Sequence, residues 1–250
     1  MTDLWRANDL PPVLSGSTRR PPEETMSNVR QGPTGIGSTV SEEGPTLEVR
    51  WVCPGALATP MIDWFAPFLD QVESREDAYL VGQQIQGISV KFRGGARLDI
   101  KVASGSHGVL DLPGRARGDL QSWKKWSFPI PPVAEMDVGS ADWVRVGKIR
   151  RIGRFSFADG EHITRGVSSG EDLATCAVEL TEVAKGGERW WTLGFEVAGH
   201  PGAMREAIET TAAMVFSDPL PGERELHLAD SKSYVEWLHF TDPHLTPTLF

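Results

Sequence analysis

Residues 89–101 have the sequence Ser-Val-Lys-Phe-Arg-Gly-Gly-Ala-Arg-Leu-Asp-Ile-Lys, two short alternating runs on either side of a glycine pair. Side chains alternate between the two faces of an extended strand, so Lys91 and Arg93 share one face of the first run. Three charged residues between Arg97 and Lys101 share one face of the second run. Because glycine adopts positive φ without a Cβ clash, the pair predicts a tight hairpin. Its charged surface either faces water or lines the wet interior of a barrel.

The composition is that of an acidic protein long enough to bury a sizeable core. The 250 residues include 34 Asp and Glu against 25 Lys and Arg, so broad nucleic-acid binding through bulk charge is not expected. Two cysteines, Cys53 and Cys176, are too few for a disulfide framework, and no apolar run reaches the length of a membrane span. We therefore expect a cytoplasmic protein with no nucleic-acid or membrane partner, in which any cationic site is local.

Residues 1–44 differ from the rest of the chain. They are rich in Pro, Ser, Thr and Gly and have little apolar periodicity, which is typical of a disordered segment. We predict a disordered N-terminal tail over 1–44 and a barrel domain with C-terminal helices over 45–250. The tail contains a short apolar segment, 5–14, so recruitment of a protein partner through the tail is one hypothesis of function.

The remaining pattern predicts an α+β fold. Alternating strands are expected at 46–52, 143–157, 176–183 and 188–197, and helices after Thr59-Pro60, after Pro201 and over 231–240. Residues 105–118, rich in glycine and cations, predict a long loop. Seven or eight antiparallel strands can close a barrel wide enough for one ligand, with helices packed outside.

Charged residues recur in a particular order along these strands. The order is Thr46-x-Glu48-x-Arg50, Asp77-x-Tyr79, Lys91-x-Arg93, Leu98-Asp-Ile-Lys101, Lys148-x-Arg150, then Glu179 and Glu196. This order resembles that of the CYTH proteins, the triphosphate tunnel metalloenzymes, which include thiamine triphosphatases, inorganic triphosphatases and class IV adenylate cyclases. The resemblance covers about residues 46 to 216 and depends on order and alternation, because each motif alone is short. It implies an eight-stranded antiparallel tunnel that binds a triphosphate.

The resemblance also implies a role for each group of residues. The implied phosphate-binding and catalytic cations are Arg50, Lys91, Arg93, Lys101, Lys148 and Arg150. The implied ligands of Mg²⁺ or Mn²⁺ are Glu48, Asp99, Glu179 and Glu196. The first hypothesis of function is therefore a divalent-metal-dependent phosphohydrolase acting on a small molecule that contains a triphosphate, with cations stabilising charge on the transferred group.

The departures from the family pattern favour other hypotheses. Thr46 stands where the family has its first glutamate, Arg50 where it has lysine, and Thr181 where another acid is often found. Because fewer acids weaken metal binding, the tunnel could bind or convert an anionic or aromatic small metabolite without hydrolysis. An unrelated barrel is a further alternative.

Overall fold

The computed structural model describes residues 41–82, 87–94, 97–130, 143–158, 163–166 and 172–241. The first strand begins at Ser41, so residues 41–44 of the predicted tail belong to the folded domain. Residues 1–40 lie outside the described part, and both the disordered tail and its protein partner stay predictions. Within the described part, no helix is long and apolar enough to cross a membrane.

Nine strands of the described part form one antiparallel sheet. They are β1 Ser41–Pro54, β2 Gln71–Leu80, β3 Ile88–Arg93, β4 Arg97–Leu112, β5 Ala116–Pro129, β6 Trp143–Phe157, β7 Ile163–Arg165, β8 Ala174–Lys185 and β9 Glu188–Gly199. The strand order is β2-β3-β4-β5-β1-β9-β8-β6-β7, and β2 also pairs with β6. This last pairing closes eight strands into a barrel. The short β7 pairs with the end of β6 and is not part of the closed barrel. The predicted antiparallel eight-stranded barrel is confirmed.

The basic hairpin forms as predicted, but the neighbouring loop does not. Lys91 lies opposite Asp99 in the β3–β4 pair, and Gly94 at the turn has a φ of 55°. The loop prediction for 105–118 is wrong, because β4 continues to Leu112 and pairs with β5 almost to the turn. The register shifts twice in this ribbon, between 103 and 105 and between 106 and 109. Its glycines therefore mark bulges in a continuous strand rather than the end of one.

Two of the three helices found in the described residues cover the outer face of the barrel. They are α1, Thr59–Phe65, and α2, Pro201–Val215. The outward residues of β1, such as Leu47, Val49 and Trp51, are buried in the same core as those of β8, β9 and α2. Because this face is apolar and covered, the alternate residues of the same strands point to the barrel interior.

The third helix, α3, Tyr234–Thr241, lies across one end of the barrel. Trp237 and Leu238 pack in a second core with the strand-end residues Val52, Val81 and Val146. On the far side of this end, the His239 ring contacts the Gly82 carbonyl oxygen at 2.9 Å and Lys185 donates to the Thr241 carbonyl oxygen at 3.1 Å. The helix therefore covers this end of the barrel and brings Tyr234 to the interior.

Candidate functional site: a charged lumen

The barrel interior holds a cavity of about 280 Å³ whose wall is dominated by charged side chains. The cations that line it are Arg50, Arg75, Lys91, Arg93, Lys101, Lys125, Lys148, Arg150 and Lys232. The carboxylates that line it are Glu43, Glu48, Asp119, Glu179 and Glu196. Among the described residues, nine cations thus face five carboxylates on this wall.

All six cations expected from the sequence lie on this wall, and three of the four expected carboxylates do. The fourth, Asp99, is buried just behind the wall, where it accepts a hydrogen bond from Ser127 at 2.7 Å and pairs with Arg93 at 2.9 Å. These side chains come from six of the eight barrel strands. Inward alternation on separate strands therefore brings together residues that are far apart in the sequence.

Three of the cations lie close to one buried carboxylate, Asp77 of β2. We call these four residues the Asp77 group. The Asp77 carboxylate lies 3.0 Å from the Lys148 ammonium, 3.5 Å from that of Lys91 and 3.2 Å from the Arg75 guanidinium. Burial alone would raise the pKa of Asp77, but the three cations outweigh it and hold that pKa well below its usual range. Asp77 is therefore charged and lies behind the cations that face the cavity.

The lysines of the Asp77 group share that one carboxylate between them. Burial lowers the pKa of Lys91 to about 8, against the opposing effect of Asp77. Burial likewise holds the pKa of Lys148 well below its ordinary value. The Lys148 ammonium also lies 2.5 Å from the Tyr79 hydroxyl and 3.7 Å from the centre of the Tyr234 ring. Arg75 also pairs with Glu73 at 2.9 Å, so the two lysines are the cations here that depend on Asp77 alone.

A second group, the Glu179 group, consists of the Glu179 carboxylate and the guanidinium groups of Arg50 and Arg150. Arg50 approaches the Glu179 carboxylate at 3.2 Å, and the Arg150 Nε lies 2.9 Å from its other oxygen. The Thr181 hydroxyl donates to the same carboxylate at 2.9 Å. These arginines hold the pKa of Glu179 well below its usual range despite burial. A Cβ on Gly194 would lie 2.9 Å from the Arg50 guanidinium carbon, so this glycine leaves room for Arg50.

The Lys101 group consists of Lys101, Glu48 and Glu196. It has the opposite charge balance, because one ammonium pairs with two carboxylates. Glu48 of β1 lies directly opposite Glu196 of β9, and Lys101 pairs with Glu48 and, at 3.0 Å, with Glu196. The Thr46 hydroxyl donates to Glu48 at 3.1 Å. The two carboxylates outweigh burial and raise the pKa of Lys101. Lys101 in turn lowers the pKa of Glu196 to about 2, whereas burial and the neighbouring Glu196 raise that of Glu48.

The four expected metal ligands do not form one metal-binding set. The structure distributes them over three places: Glu48 with Glu196, Glu179 with its two arginines, and Asp99 with Arg93. Nowhere in the described ranges do three His, Cys, Asp or Glu side chains group so as to hold a metal ion. Mg²⁺ needs free carboxylate oxygens, and at least one oxygen of each of these carboxylates already accepts from a protein donor. The residues present therefore do not fit the Mg²⁺ or Mn²⁺ that the resemblance implies.

Several residues of the wall were not among the site residues expected from the sequence. Arg75, Asp77 and Tyr79 alternate along β2, so their shared parity was a usable signal. Lys125 pairs with Glu43 at 2.6 Å, and its place on the wall follows from its position opposite Lys101 on the neighbouring strand. Local sequence gives no such signal for Tyr234, which lies at the start of a helix and reaches the cavity only because α3 crosses the barrel end.

Eight antiparallel strands thus close around a lumen lined by interleaved cations and carboxylates, which is the architecture that the order of charged residues implied. The fold is the eight-stranded antiparallel tunnel that the resemblance to the CYTH proteins implied, and its charged residues diverge from that pattern. The divergence lies in the acids of the tunnel, where threonines at 46 and 181 donate to the neighbouring glutamates Glu48 and Glu179.

Comparison with known proteins gives only distant likenesses to the tunnel. No family model and no curated protein matches the chain. The PH1819 protein from Pyrococcus horikoshii aligns with 13% identity over 79% of this chain and 99% of its own, with a TM-score of 0.41. A chain of the Schizosaccharomyces pombe Mediator head module aligns with 10% identity over 70% and 95%, with a TM-score of 0.40. HpAC1 from Hippeastrum, described as a putative adenylyl cyclase with a dominant triphosphatase activity, aligns with 12% identity over 68% and 88%, with a TM-score of 0.36. At these scores the likenesses assign no activity to this chain.

Proposed function

We propose that the tunnel binds a small polyanion of the polyphosphate class. The observation that supports this proposal is the excess of cations on the cavity wall, nine against five carboxylates among the described residues. A local cationic cavity of this kind concentrates anions even in a protein with a net charge of −9. The ligand class follows from the number of cations, since a linear polyphosphate presents several charged oxygens to several donors at once.

The Asp77 group is the part of the wall best prepared to receive the anion. Arg75, Lys91 and Lys148 line the cavity, whereas the Asp77 carboxylate that holds them in place does not. An entering phosphate therefore meets the cations first and need not displace their counter-ion. Guanidinium groups can donate two parallel hydrogen bonds to phosphate oxygens, and ammonium groups act as point charges.

Hydrolysis of the bound anion was the first hypothesis from the sequence, and the alternative of binding without hydrolysis is now favoured. The reason is the state of the carboxylates: Glu179 accepts from two arginines and a threonine, and Glu48 and Glu196 share Lys101. Steady release of phosphate from tripolyphosphate with Mg²⁺ or Mn²⁺, abolished by Lys91→Gln, would restore the hydrolase hypothesis.

Isothermal titration of the full chain with inorganic tripolyphosphate tests the proposal. We expect saturable binding at one site, and Lys91→Gln should weaken it by about tenfold, the effect of one charge-assisted hydrogen bond. The matched control is Arg145→Gln on β6, because Arg145 is an exposed cation that points outward and pairs with Glu76 at 2.7 Å. The control should bind like the unmodified protein. Absence of saturable binding, or equal losses in both variants, contradicts the proposal.

A further inference from the structure

The Glu48–Glu196 pair has the geometry of a cation site, and the cation in it is a side chain of this chain. The two glutamates are direct partners across the β1–β9 ladder, both inside the tunnel. Two carboxylates at this separation inside a tunnel repel one another unless a cation lies between them. Lys101 reaches them from β4, on the other side of β5, and its ammonium pairs with both.

The threonines at the two departures from the CYTH pattern strengthen this arrangement. Thr46 donates its hydroxyl hydrogen bond to Glu48, two residues along the same strand, at 3.1 Å. Thr181 does the same to Glu179 at 2.9 Å. A carboxylate at either position would add negative charge and a metal ligand, whereas a hydroxyl uses up a lone pair of the neighbouring glutamate. Both positions therefore lack the ligand that an acid would supply, and each hydroxyl donates to an oxygen that already pairs with a cation.

We propose that Lys101 takes the place of a bridging divalent cation in this tunnel, so that polyanion binding requires no metal ion. The inference rests on the proposed binding function and adds to it that the ligand is recognised as the free anion. Because the ammonium is covalently attached, its charge is present at any metal concentration. A divalent ion brought in by the anion would meet Lys101 between the paired glutamates of the wall.

The first experiment measures tripolyphosphate binding to the full chain in EDTA and again with Mg²⁺ in excess of the anion. We expect binding in EDTA, and an equal or lower affinity with Mg²⁺, since the metal complex of the anion has less negative charge. Binding that appears only with Mg²⁺, or that is strengthened by it, overturns this inference but leaves anion binding intact. Absence of binding under both conditions contradicts the proposed function itself.

The second experiment removes the ammonium and looks for the metal in its place. Mn²⁺ is titrated into anion-free protein and followed by electron paramagnetic resonance. We expect Lys101→Gln to bind Mn²⁺ about tenfold more tightly than the unmodified protein, because two carboxylates are then free to coordinate it. Adding Glu196→Gln to this variant should remove the gain. The control Lys125→Gln removes an ammonium from the paired position on β5, where a single carboxylate, Glu43, is the partner, and should show no gain.

Two outcomes of the Mn²⁺ titration would overturn the inference, and neither requires a measurement of enzymatic activity. One is tight Mn²⁺ binding by the unmodified protein, equal to that of Lys101→Gln. The other is a folded Lys101→Gln variant, judged by circular dichroism, that binds no more Mn²⁺ than Lys125→Gln. If Lys101→Gln fails to fold, the Mg²⁺ experiment on the unmodified protein still decides the question.

Discussion

The Asp77 group and the Lys101 group line the same cavity and have opposite charge balances. In the first, two lysines share the Asp77 carboxylate with Arg75, which also pairs with Glu73, and the pKa of Lys91 falls to about 8. In the second, two carboxylates share one ammonium, and the pKa of Lys101 rises. The two lysine side chains are similarly shielded, 10% and 17% exposed, so burial alone does not explain the difference. The number of counter-ions around each lysine decides whether it is available to a ligand or already committed within the protein.

Removing the carboxylate of the cation-rich group should have the largest effect. Asp77→Asn leaves Lys91 and the fully buried Lys148 without their counter-ion, while Arg75 keeps its pair with Glu73. We expect a loss of about 3–5 kcal/mol in the free energy of unfolding, as for other buried ion pairs that lose one partner. Denaturant unfolding measures it. The adjacent Glu76→Gln, in an exposed pair with Arg145, should cost less than about 1 kcal/mol. Equal costs for the two variants would show that Asp77 does not hold the cations together.

The pH dependence of anion binding should distinguish Lys91, whose pKa is lowered, from Lys101, whose pKa is raised. A bound anion favours the charged form of Lys91, so binding takes up a proton near pH 8 and weakens as the pH rises through about 8. The change per pH unit is at most about tenfold. Titrations in buffers of different ionisation enthalpy measure the proton uptake. Lys91→Gln should reduce the part due to the protein, leaving only what Lys148 contributes, and Lys101→Gln should keep it. Proton uptake that is undiminished in Lys91→Gln would assign it to another group.

Crowding the Glu179 group should have a moderate effect on binding and a small one on folding. In Gly194→Ala the new Cβ would displace the Arg50 guanidinium, which is the flexible end of a side chain. We expect a stability loss of about 1 kcal/mol, at the low end for an added methyl group, and a several-fold weaker affinity for tripolyphosphate. The control is Gly147→Ala on β6, where the nearest atom lies at 3.9 Å. Unchanged affinity in Gly194→Ala would exclude Arg50 from the binding wall.

The smallest effect is expected from a threonine that supports a carboxylate. Thr181→Val keeps the shape of a fully buried side chain and removes its hydrogen bond to Glu179. The expected cost is about 1 kcal/mol in the free energy of unfolding, the usual contribution of one such bond. Thr210→Val, on the exposed face of α2, provides the comparison, because its hydroxyl bonds only to the helix backbone at 2.8 Å. A Thr181→Val variant that gains stability would indicate strain in the Glu179 group.

Strand parity made it predictable that Lys91, Lys101 and Arg150 lie on the charged face of their strands. That this face lines the interior was implied by the resemblance to the CYTH proteins, and it holds because the opposite, apolar face is buried under the helices. The position of each charged side chain along the barrel axis was not predictable, since it depends on the register between strands that are distant in sequence. This is why Glu48 and Glu196 meet across one ladder while Glu179 and Asp99 lie elsewhere.

Two further features depend on long-range packing. The ribbon of β4 and β5 continues through its glycines because bulges absorb the extra residues. The contribution of Tyr234 to the lumen depends on where α3 docks, which the periodicity of the helix does not specify.

The position of α3 limits the shape of any ligand. Because this helix lies over one mouth of the barrel, with Trp237 and Leu238 packed between the strand ends, a linear molecule has no straight path from end to end. The terminal units of a long polymer can enter, whereas its middle cannot be threaded. Short oligomers and chain ends should therefore compete for the same cavity. Affinity should stop rising once the polyanion is longer than the cavity is deep.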